Sequence, residues 1–101
     1  MTAEQDPNPN QGPLAGVRVV DLTSMISGPV ATMMLADQGA DVIKVEALEG
    51  DLVRGAGATR RGITSTFISS NRSKRALAVD LKTPEGVEAL KKLLQTADVM
   101  V

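Results

Sequence analysis

The protein has 101 residues and a formal net charge of −1, from 11 Lys and Arg against 12 Asp and Glu. With 43% hydrophobic and 23% charged residues, its composition is typical of a globular protein, and its length suits one domain at most. The sequence contains neither Cys nor His, which excludes disulfide scaffolds, Ser-His-Asp triads, Cys–His dyads and the usual zinc sites, so any chemistry within these residues must use Asp, Glu, Ser, Thr, Lys or Arg.

The first dozen residues are rich in Asn, Gln and Pro. They have neither the basic region nor the apolar region of a signal peptide, and residues 1–12 are predicted to form a disordered tail. No apolar run in the chain approaches the roughly 20 residues that span a membrane. We therefore expect a soluble, cytoplasmic protein without a membrane partner.

A strand, a helix and a second strand are predicted to follow the tail. Residues 17–22 are a β-branched run and form the first predicted strand. A helix is predicted from Pro29, which fits a first helical turn, to the residues before Gly39, which suits the position just past a helix end. Residues 42–46 form the second predicted strand. A strand–helix–strand unit of about thirty residues implies that the two strands are parallel.

The second half of the chain continues the alternation. Residues 47–66 are predicted to be a long loop, residues 66–69 a short helical turn or a strand, and residues 76–81 the third strand. A helix is predicted to start after Thr83, because Thr is a good N-cap and Pro84 and Glu85 suit the first turn, and to end near Gln95. The pattern predicts an α/β fold with a Rossmann-like open, mostly parallel sheet.

Residues 99–101 are typical of the beginning of a fourth strand. A complete domain rarely ends in a strand that it has just entered. We therefore expect residues 13–101 to be the N-terminal part of a Rossmann-like domain that is truncated here.

The turn over residues 23–29 is the first candidate site. It lies at the carboxyl end of a predicted strand and at the start of a helix, where open α/β sheets bind ligands and free N–H groups favour anions. A plain strand-to-helix loop is an equal alternative. A dinucleotide fingerprint is missing, because Gly28 stands alone and Pro29 lacks an N–H, although Glu46 ends the second strand where a ribose-binding acid would lie. No P-loop motif occurs.

A charge asymmetry is the second candidate. Residues 54–82 carry a charge of +6 and the rest of the chain −7, which favours a small polyanionic ligand, although a solvated basic loop is an equal alternative. Nucleic acid is disfavoured, because the protein is not basic overall and has no aromatic stacking platform. The basic residues of this segment are Arg54, Arg60, Arg61, Arg72, Lys74, Arg75 and Lys82.

Four carboxylates could in principle act as acids or bases. They are Asp21, Asp37, Asp41 and Glu46. Asp21 and Glu46 end neighbouring predicted strands and are expected to lie near each other. Charged residues at strand ends are common, however, and a structural role is the favoured interpretation of all four.

An ordered set of motifs extends over residues 13–101 and resembles a known family. The motifs are residues 13–22, 27–29, 35–46, 50–51, 54–55, 71–75, 80–86 and 97–101. Together they resemble the N-terminus of the class III CoA-transferases, whose relatives include formyl-CoA transferase, carnitine CoA-transferase and α-methylacyl-CoA racemase. The order of the motifs is far more specific than any one of them.

The resemblance implies a Rossmann-like CoA-binding part within a ring-like chain that interlocks with a second copy as a homodimer. It also implies that CoA moves between an acyl-CoA thioester and a carboxylic acid through a catalytic Asp, which attacks the thioester. That Asp lies beyond residue 101 in the family. The resemblance therefore assigns no catalytic residue to this chain, promotes none of Asp21, Asp37 and Asp41, implies no metal, and makes the chain alone inactive.

Part of the CoA site is carried over by resemblance. Ile26 and Ser27 match loop positions that line the cofactor, and Lys74 and Arg75 are plausible phosphate contacts. A third set follows the third strand and consists of Val79, Asp80, Leu81 and Lys82. Many relatives have a basic residue directly after the position of Glu46, where this chain has Ala47, and Arg54 is a candidate substitute. An acyl-CoA racemase and a non-catalytic module that binds CoA, a nucleotide or a partner subunit remain alternatives.

Overall fold

The computed structural model describes residues 12–55, 59–60 and 63–101. The strands are β1 (Arg18–Asp21), β2 (Asp41–Glu46), β3 (Thr59–Arg60), β4 (Ile63–Thr64), β5 (Arg75–Ala78) and β6 (Val99–Met100). The helices are α1 (Ser27–Asp37), α2 (Ser65–Asn71) and α3 (Pro84–Leu94), and a short 3-10 helix covers Leu52–Gly55. Of the predicted disordered tail, all but Gly12 lies outside the described residues. In the ranges given, every helix is too short or too polar to cross a membrane.

The main sheet has four parallel strands in the order β5-β2-β1-β6. In chain order these are its third, second, first and fourth strands, which is the arrangement at the centre of a Rossmann sheet. The short strands β3 and β4 form a separate antiparallel pair. The predicted α/β fold with a Rossmann-like, mostly parallel sheet is confirmed.

Two apolar clusters cover the opposite faces of the sheet, because successive strand residues point to opposite sides. On one face, the buried residues that pack together with α1 are Val19, Ala36, Ala40 and Val42. On the other face, Val20, Val45 and Val79 form the buried cluster. Leu90, Leu93 and Leu94 of α3 pack against this second cluster. Helices α1 and α3 therefore lie on opposite faces, and α2 packs beside α1.

Local signals placed the helix boundaries well. Thr83 caps α3 as predicted, since its hydroxyl oxygen accepts a hydrogen bond from Gly86 N at 3.1 Å. Gly39 has a φ of 102°, which is the left-handed conformation expected just past a helix. Helix α1 begins two residues before Pro29, so Pro29 occupies the third helical position and still falls within the first turn.

Two parts of the sequence prediction are wrong. The segment predicted as one long loop, residues 47–66, contains the 3-10 helix, β3, β4 and the start of α2. Helix α2 starts within this segment because Thr64 caps it, since the Thr64 side chain accepts a hydrogen bond from Phe67 N. The third strand of the main sheet is also displaced from its predicted position, because β5 starts at Arg75 and ends at Ala78, before the predicted end at Leu81.

Candidate functional site

The carboxyl edge of the main sheet contains the topological switch point. From β1 the chain turns to β2 on one side, and later places β6 on the other side of β1. Ligands of open α/β sheets bind outside the carboxyl ends of the strands at such a point. The loop between β1 and α1, residues 22–26, lies at this edge. It is joined to Val101, the residue directly after β6, by a hydrogen bond of 3.0 Å from Leu22 N to Val101 O.

The N-terminus of α1 opens onto the same edge. Ile26 occupies the N-cap position, and among the described residues no side chain accepts a hydrogen bond there. The first turn contains no acidic residue. Ile26 and Ser27 are both exposed. The backbone N–H groups at the start of this helix, together with its dipole, therefore favour an anion.

The segment after β5 reaches the same edge, two strands away from β1. Val79 N donates to Glu46 O at 2.9 Å, which continues the pairing with β2 by one residue. The carboxylate of Asp80 accepts a hydrogen bond from Lys82 N at 3.0 Å. Leu81 and Lys82 are exposed. Residues 79–82 and residues 26–27 thus follow strands that end at one edge, and a single strand separates β5 from β1, so that the axes of these two strands lie about 10 Å apart.

Arg75 is separated from the other predicted site residues. It is the first residue of β5, so it lies at the amino edge of the parallel sheet, the end opposite to Ile26 and Lys82. Its guanidinium donates two hydrogen bonds to the carboxylate of Asp41, at 3.0 and 2.6 Å. The physical reason for the separation is that all four strands are parallel, so a residue at the start of β5 lies at the amino edge, whereas residues 26–27 and 79–82 follow strand ends.

Lys74, the second predicted phosphate contact, is buried instead. Its side chain is 2% exposed, and its ammonium lies 2.8 Å from Asp21 Oδ2. It also donates to Pro29 O at 3.0 Å and to Asn71 Oδ1 at 2.8 Å. An ammonium has three hydrogens to donate, so these partners satisfy it. Burial lowers the pKa of Lys74 below its ordinary value, although the bond to Asp21 opposes this effect.

Asp21 closes the carboxyl end of β1. Its carboxylate accepts hydrogen bonds from Thr23 N at 2.8 Å, from the Thr23 hydroxyl, and from the Thr32 hydroxyl of α1 at 2.8 Å, besides that from Lys74. The residue is fully buried. Burial alone raises the pKa of Asp21, but the hydrogen bonds from Lys74, Thr23 and Thr32 outweigh it and hold the pKa below its ordinary value. Asp21 is therefore an ionised structural group.

A second buried ion pair lies beside the first. Lys44 Nζ is 2.9 Å from Asp51 Oδ2, and each side chain is 1% exposed. Lys44 also donates to Thr23 O at 3.2 Å, while Asp51 Oδ1 accepts from Met25 N and from Val53 N, each at 3.0 Å. Burial raises the pKa of Asp51, but the bonds from Val53 N, Lys44 and Met25 N more than compensate, so the pKa is lowered. The loop backbone is thus held by buried charges at a carbonyl oxygen, that of Thr23, and at an N–H group, that of Met25.

Glu46 and Arg54 extend this network to the end of β2. Arg54 donates to both carboxylate oxygens of Glu46, at 2.8 and 2.6 Å, and the hydrogen bonding lowers the pKa of Glu46 and raises that of Arg54. Glu46 also accepts from Asp51 N at 2.7 Å. The guanidinium lies 3.8 Å from the ring centre of Phe67 and lines, with Ala47, an open crevice of about 350 Å³. Arg54 is therefore close to the position of the missing basic residue but is already paired.

The basic excess of residues 54–82 is largely neutralised inside the molecule. Four of its seven basic residues pair with acids outside the segment, namely Arg54 with Glu46, Arg72 with Asp37, Lys74 with Asp21 and Arg75 with Asp41. The side chains of Arg60 and Arg61, two more of the seven, lie outside what the structure describes. Within the described ranges, Lys82 is exposed and has no acidic partner within 4.0 Å.

The same pairs account for the four acid or base candidates, because each of those carboxylates is held by a Lys or Arg. Sequence reasoning missed Lys44, Asp51 and Thr32. One signal for Lys44 was available. Parallel sheets are covered by helices on both faces, so a Lys in the middle of a predicted parallel strand is expected to be buried and therefore to need an acidic partner. In the described parts of the chain, no group of three or more Asp or Glu side chains is placed to hold a metal ion.

Comparisons with known proteins identify the family to which the chain belongs. The model of CoA-transferase family III matches residues 14–101. The succinate–glutarate CoA-transferase of Agrobacterium fabrum is 44% identical over 97 residues, which cover 88% of this chain and 24% of that protein. The succinyl-CoA:glutarate CoA-transferase of Homo sapiens is 47% identical over 94 residues, which cover 91% of this chain and 22% of that protein.

Solved structures give the same result. A crystal structure of a CAIB/BAIF family protein from Brucella suis superimposes with a TM-score of 0.83 at 40% identity, covering 89% of this chain and 25% of that one. A hypothetical protein from Mycobacterium tuberculosis gives a TM-score of 0.81 at 38% identity, with 90% and 25% covered. The chain thus spans about a quarter of the length of the relatives that it matches. On the matched family model and these relatives, the chain belongs to CoA-transferase family III.

Proposed function

We propose that the protein acts as a class III CoA-transferase, moving CoA between an acyl-CoA thioester and a carboxylic acid. In this proposal the described chain supplies part of the CoA site at the carboxyl edge of its sheet. The observation that carries the proposal is that, in a member of this family, an uncapped helix N-terminus after β1 and an exposed lysine after β5 lie at the same carboxyl edge of the sheet. The transferase names of the reported relatives support transfer rather than racemisation.

The proposed site suits the phosphate groups of CoA. The N–H groups at the start of α1 offer hydrogen bonds and a partial positive charge, and Lys82 offers a full positive charge. The exposed side chains of Ile26 and Leu81 flank these groups and offer apolar contact to the pantetheine arm. Asp80 is assigned a positioning role through its hydrogen bond to Lys82 N. We leave Arg75 out of the proposed site because it lies at the opposite edge.

No carboxylate of the described chain is proposed as the nucleophile. In the reaction, a carboxylate attacks the thioester carbonyl, a C–O bond forms, the C–S bond breaks and CoA leaves as the thiolate. Asp21 and Asp51 lie near the site, but each is buried in an ion pair and its lone pairs are engaged. We propose, on the family resemblance, that the attacking Asp lies beyond residue 101. The interlocked homodimer and the cytoplasmic location stay predictions.

Succinyl-CoA and glutarate are the first substrates to test, because two of the reported relatives are named for succinate and glutarate transfer. A longer protein that contains this chain and the proposed Asp beyond residue 101 is incubated with both, and glutaryl-CoA is measured by mass spectrometry, with glutarate omitted as the control. Glutaryl-CoA that depends on enzyme and acceptor supports the proposal. Acceptor-independent inversion of a 2-methylacyl-CoA would instead assign the protein to the racemases of the superfamily.

Binding of CoA tests the site separately from the chemistry. CoA at a concentration of 100 times its Kd should stabilise the fold by about 2.7 kcal/mol, seen as a higher melting temperature. An unchanged melting temperature at millimolar CoA would contradict the assignment of a CoA site to this sheet edge, whatever the transfer assay gives.

A further inference from the structure

The loop between β1 and α1 is held through both backbone groups of Thr23, its N–H and its carbonyl oxygen. Thr23 N donates to Asp21, which belongs to the strand before it, and Thr23 O accepts from Lys44 at 3.2 Å, in the neighbouring strand. Two residues further on, Met25 N donates to Asp51 at 3.0 Å. Met25 has a φ of 71°, a backbone angle that residues other than Gly rarely adopt. The loop therefore keeps an unfavourable backbone conformation because outside groups hold it there.

The buried Lys44–Asp51 ion pair is not explained by a gain in core stability. Both side chains are 1% exposed, and a buried ion pair loses most of its solvation without a guaranteed net gain. Apolar residues of similar volume at these two positions would fill the same space. What apolar residues would not provide are the hydrogen bonds to Thr23 O and Met25 N. The distinctive contribution of the pair is thus its contact with the loop backbone.

We propose that Lys44 and Asp51 are positioning residues, which fix the conformation of residues 23–26 so that the first N–H groups of α1 face the CoA ligand. This inference rests on the proposed function. Neither side chain touches the ligand, because both are buried beneath the loop. Their effect on CoA binding is transmitted through the backbone of Thr23 and Met25.

The decisive variant is Lys44→Met/Asp51→Leu. It removes both charges together, so neither remains buried without a partner. Met nearly conserves the volume of Lys44, whereas Leu is larger than Asp51. We expect hydrogen exchange at Met25 N to accelerate on the order of ten- to a hundredfold relative to Val20 N in β1, the range expected for losing a charged acceptor. We expect the Kd for CoA, measured by calorimetry, to rise by a similar factor. Expressed as a fold-change in the unfolding equilibrium constant, the loss of stability should be far smaller than these two effects.

A conservative variant provides the rescue. Lys44→Met/Asp51→Asn also lacks both charges but restores an oxygen that accepts from Met25 N and Val53 N. We expect it to recover most of the Met25 protection and part of the CoA affinity. If Lys44→Met/Asp51→Leu does not fold, Lys44→Met/Asp51→Asn tests the inference alone. It still lacks the Lys44 ammonium that donates to Thr23 O, so it should bind CoA more weakly than the wild type.

Leu93→Ala is the matched control for a loss of stability. Leu93 packs on the opposite face of the sheet, away from the loop. We expect it to lower the unfolding midpoint while leaving both the Met25-to-Val20 exchange ratio and the CoA affinity of the folded protein unchanged. Wild-type exchange ratio and wild-type affinity in Lys44→Met/Asp51→Leu would overturn the inference. If the wild type itself binds no CoA, the proposed function fails, while the exchange ratio still decides whether the pair positions the loop.

Discussion

Lys74 Nζ lies 2.8 Å from Asp21 Oδ2, although 53 residues separate the two in the sequence. The pair joins three parts of the fold, because Lys74 also holds Pro29 O in α1 and Asn71 at the end of α2. Its side chains are 2% and 0% exposed. One buried ion pair thus ties the carboxyl end of the first strand to both helices on that face of the sheet.

Removing one partner of this pair should be severely destabilising. Lys74→Met leaves the Asp21 carboxylate buried without its counter-ion, and we expect the free energy of unfolding to fall by about 3–5 kcal/mol, measured by urea denaturation. Arg72→Ala is the comparison, because Arg72 and Asp37 form an ion pair whose side chains are 55% and 35% exposed. Its loss should cost about 0–1 kcal/mol. Equal losses in the two variants would contradict the structural role of Asp21 and Lys74.

The sequence predicted best those features that depend on neighbouring residues. The start of α3 at Thr83-Pro84 and the turn at Gly39 follow from local backbone chemistry and were confirmed. The strands β3 and β4 were missed because each has two residues and gains its stability from pairing with the other. A periodic pattern cannot be seen over two residues.

The candidate site was predictable in part for a similar reason. The carboxyl ends of parallel strands meet at one edge, so residues 26–27 and 79–82 could be placed together from the order of elements alone. The roles of Lys74 and Arg75 could not, because their partners Asp21 and Asp41 are distant in sequence. The place of Arg75 at the amino edge follows from the parallel direction of β5, whereas its pairing with Asp41 depends on the register with β2.

Acid should destabilise the protein through the carboxylates beneath the loop. The pKa values of Asp21, Glu46 and Asp51 are lower in the folded protein than their ordinary values of 3.8, 4.5 and 3.8. As the pH falls below about 5, the unfolded chain therefore binds more protons than the folded one, and the free energy of unfolding decreases until the folded pKa values are passed.

Urea midpoints measured from pH 6 to pH 3 test this dependence. We expect the decline to be shallower in Glu46→Gln, which no longer titrates, and unchanged in Glu88→Gln, whose side chain is exposed on α3. A midpoint that stays constant over this range would show that the three carboxylates titrate alike in the folded and unfolded protein.

Gly86 permits a close approach between α3 and the segment that carries Lys82. A Cβ atom at this position would lie 1.9 Å from Asp80 O, a backbone atom that cannot move without shifting the loop. Ala favours a helix over Gly by about 1 kcal/mol, but the clash should outweigh this gain. We expect Gly86→Ala to lower the free energy of unfolding by about 1–3 kcal/mol and to weaken CoA binding. Ala89→Gly, on the exposed side of α3, should lose stability without the loss of affinity.

Lys82 should contribute to CoA affinity as an exposed charge. Lys82→Ala is expected to raise the Kd for CoA about two- to fivefold, the range of solvent-exposed ion pairs. Lys91→Ala removes the same charge from the last turn of α3, about 10 Å beyond the start of that helix at Pro84, and should leave the Kd unchanged. Because salt screens exposed charges, the difference between wild type and Lys82→Ala should shrink from 0.05 M to 0.5 M salt in calorimetric titrations. Equal affinities for the two variants at low salt would remove Lys82 from the proposed site.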